Sequence, residues 1–384
     1  MLSSFRKRNS KIEIKTMNLF PELKKKYSED NISAREAQRL AEFIAFGPVI
    51  FQTARIMLNE GVLELISNSV NGLTIGEIVN QTSLSEYAVK CLLEASLSIG
   101  IIKIDPESDK FSISKTGWFL INDQATRVNI DVNHDINYRG WYYLDEALKE
   151  GKPAGLKTLG NWETIYQGLS SLKENEQKSW FAFDHFYSDS SFPQALELVF
   201  ENKPKTILDV GGNTGRWALQ CVNFDPDVRV TILDLPQQIG MMEDNIKGKN
   251  GADRIDGIGI NLLDENSKMP EGNHFDIVWM SQFLDCFSEE QIVDVISKAS
   301  KVMDKNTRLY IMETFWDRQR FETAALCLTL TSLYFTAMAN GNSKMYHSDD
   351  MIKLVEKAGL EIETIQDNLG QGHSILICKL KENN

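Results

Sequence analysis

Residues 206–221 read TILDVGGNTGRWALQC, and the order of residue types in that stretch sets the fold. The first five form a short apolar run of the kind that makes a buried parallel strand, and the glycines behind it let the chain turn sharply with no Cβ in the way. Trp217, Ala218, Leu219, Cys221 and Val222 then present a mostly apolar face, so a helix is predicted directly after the turn. A helix N-terminus behind a glycine turn offers unpaired backbone N–H groups, which make a donor-rich, anion-tolerant cradle.

From this stretch to the C-terminus, strands alternate with helical segments. Strands are predicted over 206–210, 228–234, 255–260, 276–280, 308–313, 361–365 and 374–379. Seven strands with crossover helices imply an α/β fold: an open, mainly parallel, doubly wound, Rossmann-like sheet. Ligands of such sheets sit beyond the carboxyl ends of the strands at the switch point, where the quoted turn lies.

The first half reads differently. Residues 37–58 alternate apolar and polar residues at helical spacing, and 61–66 continue as a second amphipathic segment. In LTIGEIVNQTSLSEYAVKCLLEASLSIGIIKIDPESDKFSIS, Thr74 and Ser83 suit helix caps and 85–98 an amphipathic helix. Residues 101–104 and 110–114 could pair as a hairpin across Asp105-Pro106. Helices followed by a two-stranded wing have the shape of a winged helix. Its second helix carries one lysine and two glutamates, poor equipment for phosphate contacts, so packing and dimerisation outweigh DNA binding. Further helices are expected over 141–149 and 162–181.

Composition bounds the partners. The chain has 384 residues, 42% of them hydrophobic, and a net charge of -13, which speaks for an ordinary globular protein and against nucleic acid as a partner. Arg6, Lys7, Arg8, Lys11, Lys15 and Lys24 to Lys26 make residues 1–30 a basic, solvated arm; no apolar segment behind it suits a signal peptide, and no membrane insertion is indicated. The five cysteines, scattered with no CxxC pair, suit a reducing cytoplasm and offer no zinc site.

The dinucleotide pattern G-x-G-x-x-G fails at both glycines, since Asn213 and Arg216, or Thr214 and Trp217, stand where glycines are needed. The stretch instead resembles the Asp-x-Gly-x-Gly-x-Gly motif of S-adenosylmethionine-dependent methyltransferases, with Asp209, Gly211 and Gly215 in place and Asn213 at the middle glycine. Asparagine is the side chain that best tolerates positive φ. In TILDLPQQ, Asp234 ends a strand where a carboxylate can accept from both hydroxyls of a ribose, or serve simply as a helix cap.

With LDVGGNTG, DLPQ, FDIVWMSQFLDCFSEEQ and LYIMETF in order, the chain resembles the plant-type small-molecule O-methyltransferases, which include caffeic acid, acetylserotonin and bacterial polyketide enzymes. The resemblance implies a homodimer, with a helical winged-helix dimerisation domain and linking helices over 31–190 and a cofactor-binding domain over 191–384. It implies S-adenosylmethionine held by Asp209, Gly211, Gly212, Asn213 and Gly215, by Asp234 and Leu235, by Ser281 and Gln282, and by Asn261 and Leu262, which replace an aspartate and a methionine. Ser281 and Gln282 replace a lysine and an aromatic residue. Phe183 and Tyr187 in FDHFYSDS look like a cofactor-covering helix, or are core aromatics. Trp141, Tyr142, Tyr143, Trp162 and Phe186 are candidate walls for an acceptor pocket between the domains.

The family's catalytic histidine is missing: Asp285 stands in its place, and Glu313 matches the glutamate that orients it. A free aspartate near pKa 3.9 is a poor base for a phenol near 10, yet two carboxyls brought together would share a proton and make a better one. Three accounts stay open: Asp285 as base, His185 or His347 reaching in from another element, or an acceptor that arrives ionised. No third carboxylate completes a metal site with Asp285 and Glu313, so no metal is expected. A relative that binds the cofactor without transferring methyl, or a winged-helix regulator, are the rival readings.

Overall fold

The computed structural model describes residues 27–270 and 274–381; most of the arm expected over 1–30 lies outside them. In place of one helical stretch over 37–58 there are two helices, α1 (Ala34–Ala45) and α2 (Gly47–Asn59), bent by 74°. Pro48 explains the break, because it lacks the N–H that would continue the ladder but suits a first turn. Next come α3 (Val62–Ser67), α4 (Ile75–Val79), α5 (Glu86–Ile99) and the antiparallel pair β1 (Ile102–Ile104) and β2 (Phe111–Ile113). Thr74 caps α4 as expected, but Ser85 caps α5, where Ser83 was expected. Leu63, Ile66, Ile78, Val89, Leu93 and Phe111 form the small core beneath them.

The linking region contains α6 (Lys115–Asn122), α7 (Gln124–Val132), α8 (Leu144–Glu150), α9 (Ile165–Gly168) and α10 (Glu174–Asp189). The helix expected over 162–181 is thus two. Glu176 accepts from the Lys173 N–H and starts α10 inside the expected span, and α10 runs eight residues past its end.

The second half follows as α11 (Phe192–Val199), β3 (Thr206–Val210), α12 (Arg216–Phe224), β4 (Arg229–Asp234), α13 (Pro236–Ile246), β5 (Ile255–Gly259), β6 (Ile277–Ser281), α14 (Glu289–Ser300), β7 (Arg308–Glu313), α15 (Glu322–Tyr334), α16 (Ser348–Lys357), β8 (Leu360–Leu369) and β9 (His373–Leu380). All seven expected strands are present, in the order β5-β4-β3-β6-β7-β9-β8. The first five run parallel, while β9 is antiparallel to both neighbours, so the chain closes with a hairpin rather than another crossover. Alternation along each strand feeds two cores. Leu208, Val210, Val278 and Met280 pack with α14 and α16; Ile207, Ile277 and Trp279 pack with α11, α12 and α13.

A third core joins the halves. Leu328 and Tyr334 of α15 pack with Val132, Leu156, Leu169 and Trp180 of the linking region, which draws those helices toward the sheet. Among the described residues no single helix is long and apolar enough to cross a membrane.

Trp279 is fully buried and stacked on Trp217 at 4.2 Å, pinning α12 to the sheet behind the glycine turn. Trp279→Ala should cost about 3–5 kcal/mol through the cavity it leaves, read as a lowered denaturant midpoint in chemical unfolding.

Candidate functional site

The turn after β3 has the conformation its sequence demands. Gly211, Asn213 and Gly215 have φ of 79°, 50° and 75°, so asparagine does occupy a positive-φ position. A Cβ on Gly211 would lie 2.3 Å from the Phe283 ring, and one on Gly212 would lie 2.7 Å from Asp209 Oδ2. The Asn213 N–H donates to Asp234 Oδ2 at 2.8 Å and the Leu235 N–H to Asp234 Oδ1 at 2.7 Å. The glycine turn is thereby tied to the carboxyl end of the neighbouring strand.

Above these strand ends lies a cavity of about 620 Å³. At one end Gly211, Asn213, Asp234, Leu235, Asn261, Leu262 and Gln282 form its wall, and Phe183 and Tyr187 of α10 line it from the side. Tyr166, Trp180, Asp285, Cys286, Tyr334 and Met345 line the rest. Four of the expected binding residues do not reach it. Asp209 is buried beneath the turn, its carboxyl pushed up to about 8 by burial and by the Asp234 charge. Gly212 packs over Asp209, Gly215 leads the turn into α12, and Ser281 ends β6 one residue before Gln282, which enters the wall with φ of 44°.

The two histidines are likewise elsewhere. His185 faces a separate surface groove with Thr214 and Arg216; its Nδ1 lies 2.9 Å from Arg216 Nη1, and burial, then that guanidinium, push it down to about 4. His347 is the N-cap of α16, where its Nδ1 accepts from the Asp349 N–H at 3.1 Å and its ring stands edge-on to Trp316. Neither lines the cavity.

Asp285 does line it, and is only 5% exposed. Glu313, 2% exposed, sits behind: its Oε1 accepts from the N–H groups of Phe283 and Leu284 at 3.1 and 2.9 Å, which fixes the segment carrying Asp285, and its Oε2 has no partner. Burial pushes the Asp285 carboxyl up to about 7, opposed by a bond from the Cys286 thiol. Burial and then the Asp285 charge push Glu313 well above the usual carboxylate range. The Asp285 charge thus disfavours ionisation of Glu313 behind it.

The expected aromatic walls are also corrected. Trp141 and Trp162 pack into the linking core, Tyr142 is 84% exposed, and Tyr143 and Phe186 do not line the cavity. Tyr166, Trp180 and Tyr334 take that place, with the Trp180 indole N–H donating to the Tyr334 hydroxyl at 2.8 Å. Asp184 is a cavity residue that no motif marks, although Trp180, Phe183, Asp184 and Tyr187 fall at i, i+3, i+4 and i+7 on one helix face, a spacing readable in the sequence. Lys298 is another residue that no motif marks. It is buried, and its ammonium donates to the carbonyls of Leu262 and Asp264 at 2.6 and 3.0 Å, holding the loop that carries Asn261.

These residues fit S-adenosylmethionine. Asn213 Oδ1 and Gln282 Oε1 are buried acceptors without partners, suited to the ammonium of an amino-acid end. Asp234 presents a carboxylate with lone pairs to spare for a ribose diol. Asn261 Oδ1 already accepts from the Leu263 N–H, which turns its amide NH₂ free to donate to a base.

Comparison with known proteins agrees. Residues 38–111 match the Dimerisation2-like domain and residues 141–361 the O-methyltransferase domain. Human acetylserotonin O-methyltransferase is 22% identical over 227 residues, which span 54% of this chain and 61% of that enzyme. Mitomycin biosynthesis 6-O-methyltransferase of Streptomyces lavendulae is 20% identical over 309 residues, 79% of this chain and 83% of the other. Among solved structures, the S-adenosylmethionine-dependent methyltransferase SibL superposes with a TM-score of 0.67 at 21% identity, over 88% of this chain and 98% of SibL. Human N-acetylserotonin methyltransferase in complex with SAM superposes at 0.64 and 17% identity, over 92% and 99%. With a methyltransferase-type sheet, a cavity that fits the cofactor and a domain match over more than half its length, the chain belongs to the S-adenosylmethionine-dependent O-methyltransferase family.

Proposed function

We propose that the protein is a homodimeric cytoplasmic enzyme that methylates a hydroxyl of a small aromatic or polyketide-like molecule. The observation that carries this reading is Asp285, buried in the acceptor end of the cavity with Glu313 behind it, in the place of the family's histidine. Relatives named for O-methylation of acetylserotonin, mitomycin and scoulerine support the acceptor class.

S-adenosylmethionine, when bound, supplies a methyl group on a positively charged sulfur. Every other task falls to the chain. Asn213, Gln282, Asp234, Leu235, Asn261 and Leu262 hold the cofactor, and Phe183 and Tyr187 exclude water from it. Tyr166, Trp180 and Tyr334 orient the acceptor ring by packing. Asp285 takes the hydroxyl proton as the oxygen becomes a nucleophile, and Glu313 holds the backbone of that segment. With Asp285 as a base, the loss of the histidine is not the loss of catalysis, which favours a working enzyme over a silent cofactor-binding relative. Arg216, Asp209 and Gly215 serve the architecture of the turn.

The arrangement of α3 to α5 with the β1–β2 hairpin supports a winged helix used for packing, and we divide the chain into an arm (1–30), a dimerisation and linking region (31–190) and a catalytic domain (191–384). Support for a dimer comes from α1: no residue of it is buried, and Leu40 and Ile44 of α1, Phe46 at the bend and Val49 of α2 stand exposed. The match of 38–111 to a Dimerisation2-like domain agrees with that role. Scattered free cysteines support the cytoplasm.

Four outcomes are expected. Calorimetric titration should give micromolar binding of S-adenosylhomocysteine that is lost in Asp234→Ala, kept in Asp285→Asn and weakened about tenfold in Lys298→Met, whose loop is released. Transfer of labelled methyl to phenols should fall about 10²- to 10⁴-fold in Asp285→Asn. In the unmutated protein the rate should rise with pH through about 7, because only the ionised Asp285 can accept a proton and burial places its titration there; a flat profile between pH 5.5 and 8 would remove Asp285 as base. Light scattering should report twice the 43.6 kDa chain mass, and Ile44→Glu with Phe46→Glu should reduce it to one chain.

A further inference from the structure

The cavity has a one-sided charge that methyl transfer to a neutral phenol does not need. Glu163, Asp184, Asp234 and Asp285 line it, and among the described residues no lysine, arginine or histidine does. Arg216, the cation nearest the glycine turn in sequence, is turned away into the separate groove, where it binds the Asp189 carboxylate and His185. Asp234 is used by the turn and by the ribose, and Glu163 stands exposed at the rim. Asp285 is taken by the hydroxyl proton, and Glu313 by the backbone of that segment.

Asp184 is left over. It lines the cavity from α10, its Oδ2 receives one amide N–H from Asn213 at 3.3 Å, and it lies near enough to Asp285 for the two charges to oppose each other. Burial first, and Asp285 next, push its carboxyl up to about 7. The Arg216 charge, from outside the cavity, and the Asn213 amide oppose this shift only in part; a buried carboxylate is costly, and a cation placed beside it inside the cavity removes the remaining cost. The cofactor's own ammonium has the orphaned Asn213 Oδ1 and Gln282 Oε1 to receive it. Trp180 and Tyr334 add electron-rich faces close by, and the Tyr166 hydroxyl is buried with no partner.

We propose that the acceptor carries a basic nitrogen and enters the cavity as an ammonium ion, with its charge against Asp184 and its hydroxyl against Asp285. This rests on reading the cavity as an acceptor site for O-methylation, and it narrows that reading to hydroxylated amines. A carboxylate-bearing acceptor of the same size is excluded, because it would bring an anion into a site that already holds several and offers no positive side chain.

The test is calorimetric titration of three near-isosteric probes into the full chain saturated with S-adenosylhomocysteine: tyramine, 4-ethylphenol and 3-(4-hydroxyphenyl)propionate. Tyramine should bind at least about tenfold tighter than the neutral phenol, and the anion should not bind measurably. Asp184→Asn should bring tyramine to the affinity of the phenol while leaving S-adenosylhomocysteine within about threefold of the unmutated value. Equal affinities for tyramine and 4-ethylphenol, or no tyramine binding by about 10 mM, overturn the inference and leave the methyltransferase reading standing. A matching loss of S-adenosylhomocysteine in Asp184→Asn also overturns it, since the carboxylate would then belong to the cofactor. Failure of the unmutated chain to bind S-adenosylhomocysteine overturns both.

Discussion

A single hydrogen bond joins the two features on which the site depends: the Asn213 N–H donates to the Asp234 carboxylate across the ends of adjacent parallel strands. The Gly211 N–H, which donates to the Leu233 carbonyl at 2.8 Å, and the Leu235 N–H, which donates to Asp234, support the same junction. With it, the turn is held in its left-handed conformation, α12 begins at a fixed angle, and the carboxylate faces the cavity from a defined place. The bond forms because β3 and β4 pair in parallel register, so their carboxyl ends finish side by side and the chain must turn over one strand toward the other.

Burial of acidic groups is the second constraint. Asp184, Asp209, Asp285 and Glu313 all sit in surroundings that raise their carboxyls, in each case chiefly by removing water. In Asp209 this serves structure, since a neutral acid can lie beneath the turn beside Asp234. In Asp285 it serves chemistry: an aspartate that would be too weak a base in water becomes matched to a proton transfer near neutrality. The same physical cause therefore gives opposite roles to residues only a short distance apart, and what separates them is whether the side chain reaches the cavity wall.

The histidines teach the reverse lesson. His185 and His347 lie in the expected stretches of chain, but one is on the outer side of α10 beside a guanidinium and the other is spent on capping a helix. Nothing in the residue types could separate a histidine facing in from one facing out at those positions. A helix turns 100° per residue, so Asp184 and His185, neighbours in sequence, point to different grooves. The periodicity of Trp180, Phe183, Asp184 and Tyr187 did carry that information, once the helix was known to run to Asp189.

By itself the sequence determined the seven strands, the turn after the first of them, the positive-φ asparagine and the presence of a carboxylate where the family has a base. These are local or period-two signals: apolar runs, glycine spacing and a residue type that tolerates the left-handed region. Only the tertiary structure decided that the sheet ends in an antiparallel hairpin, and that Tyr166, Trp180 and Tyr334 wall the cavity where Trp141 and Trp162 do not. It also decided that Asp184 and Asp285 share a site and that Lys298 clamps the loop after β5. Those outcomes depend on contacts between residues far apart in sequence, or on which face of a helix meets the sheet, and both arise from packing rather than from any residue's own preference.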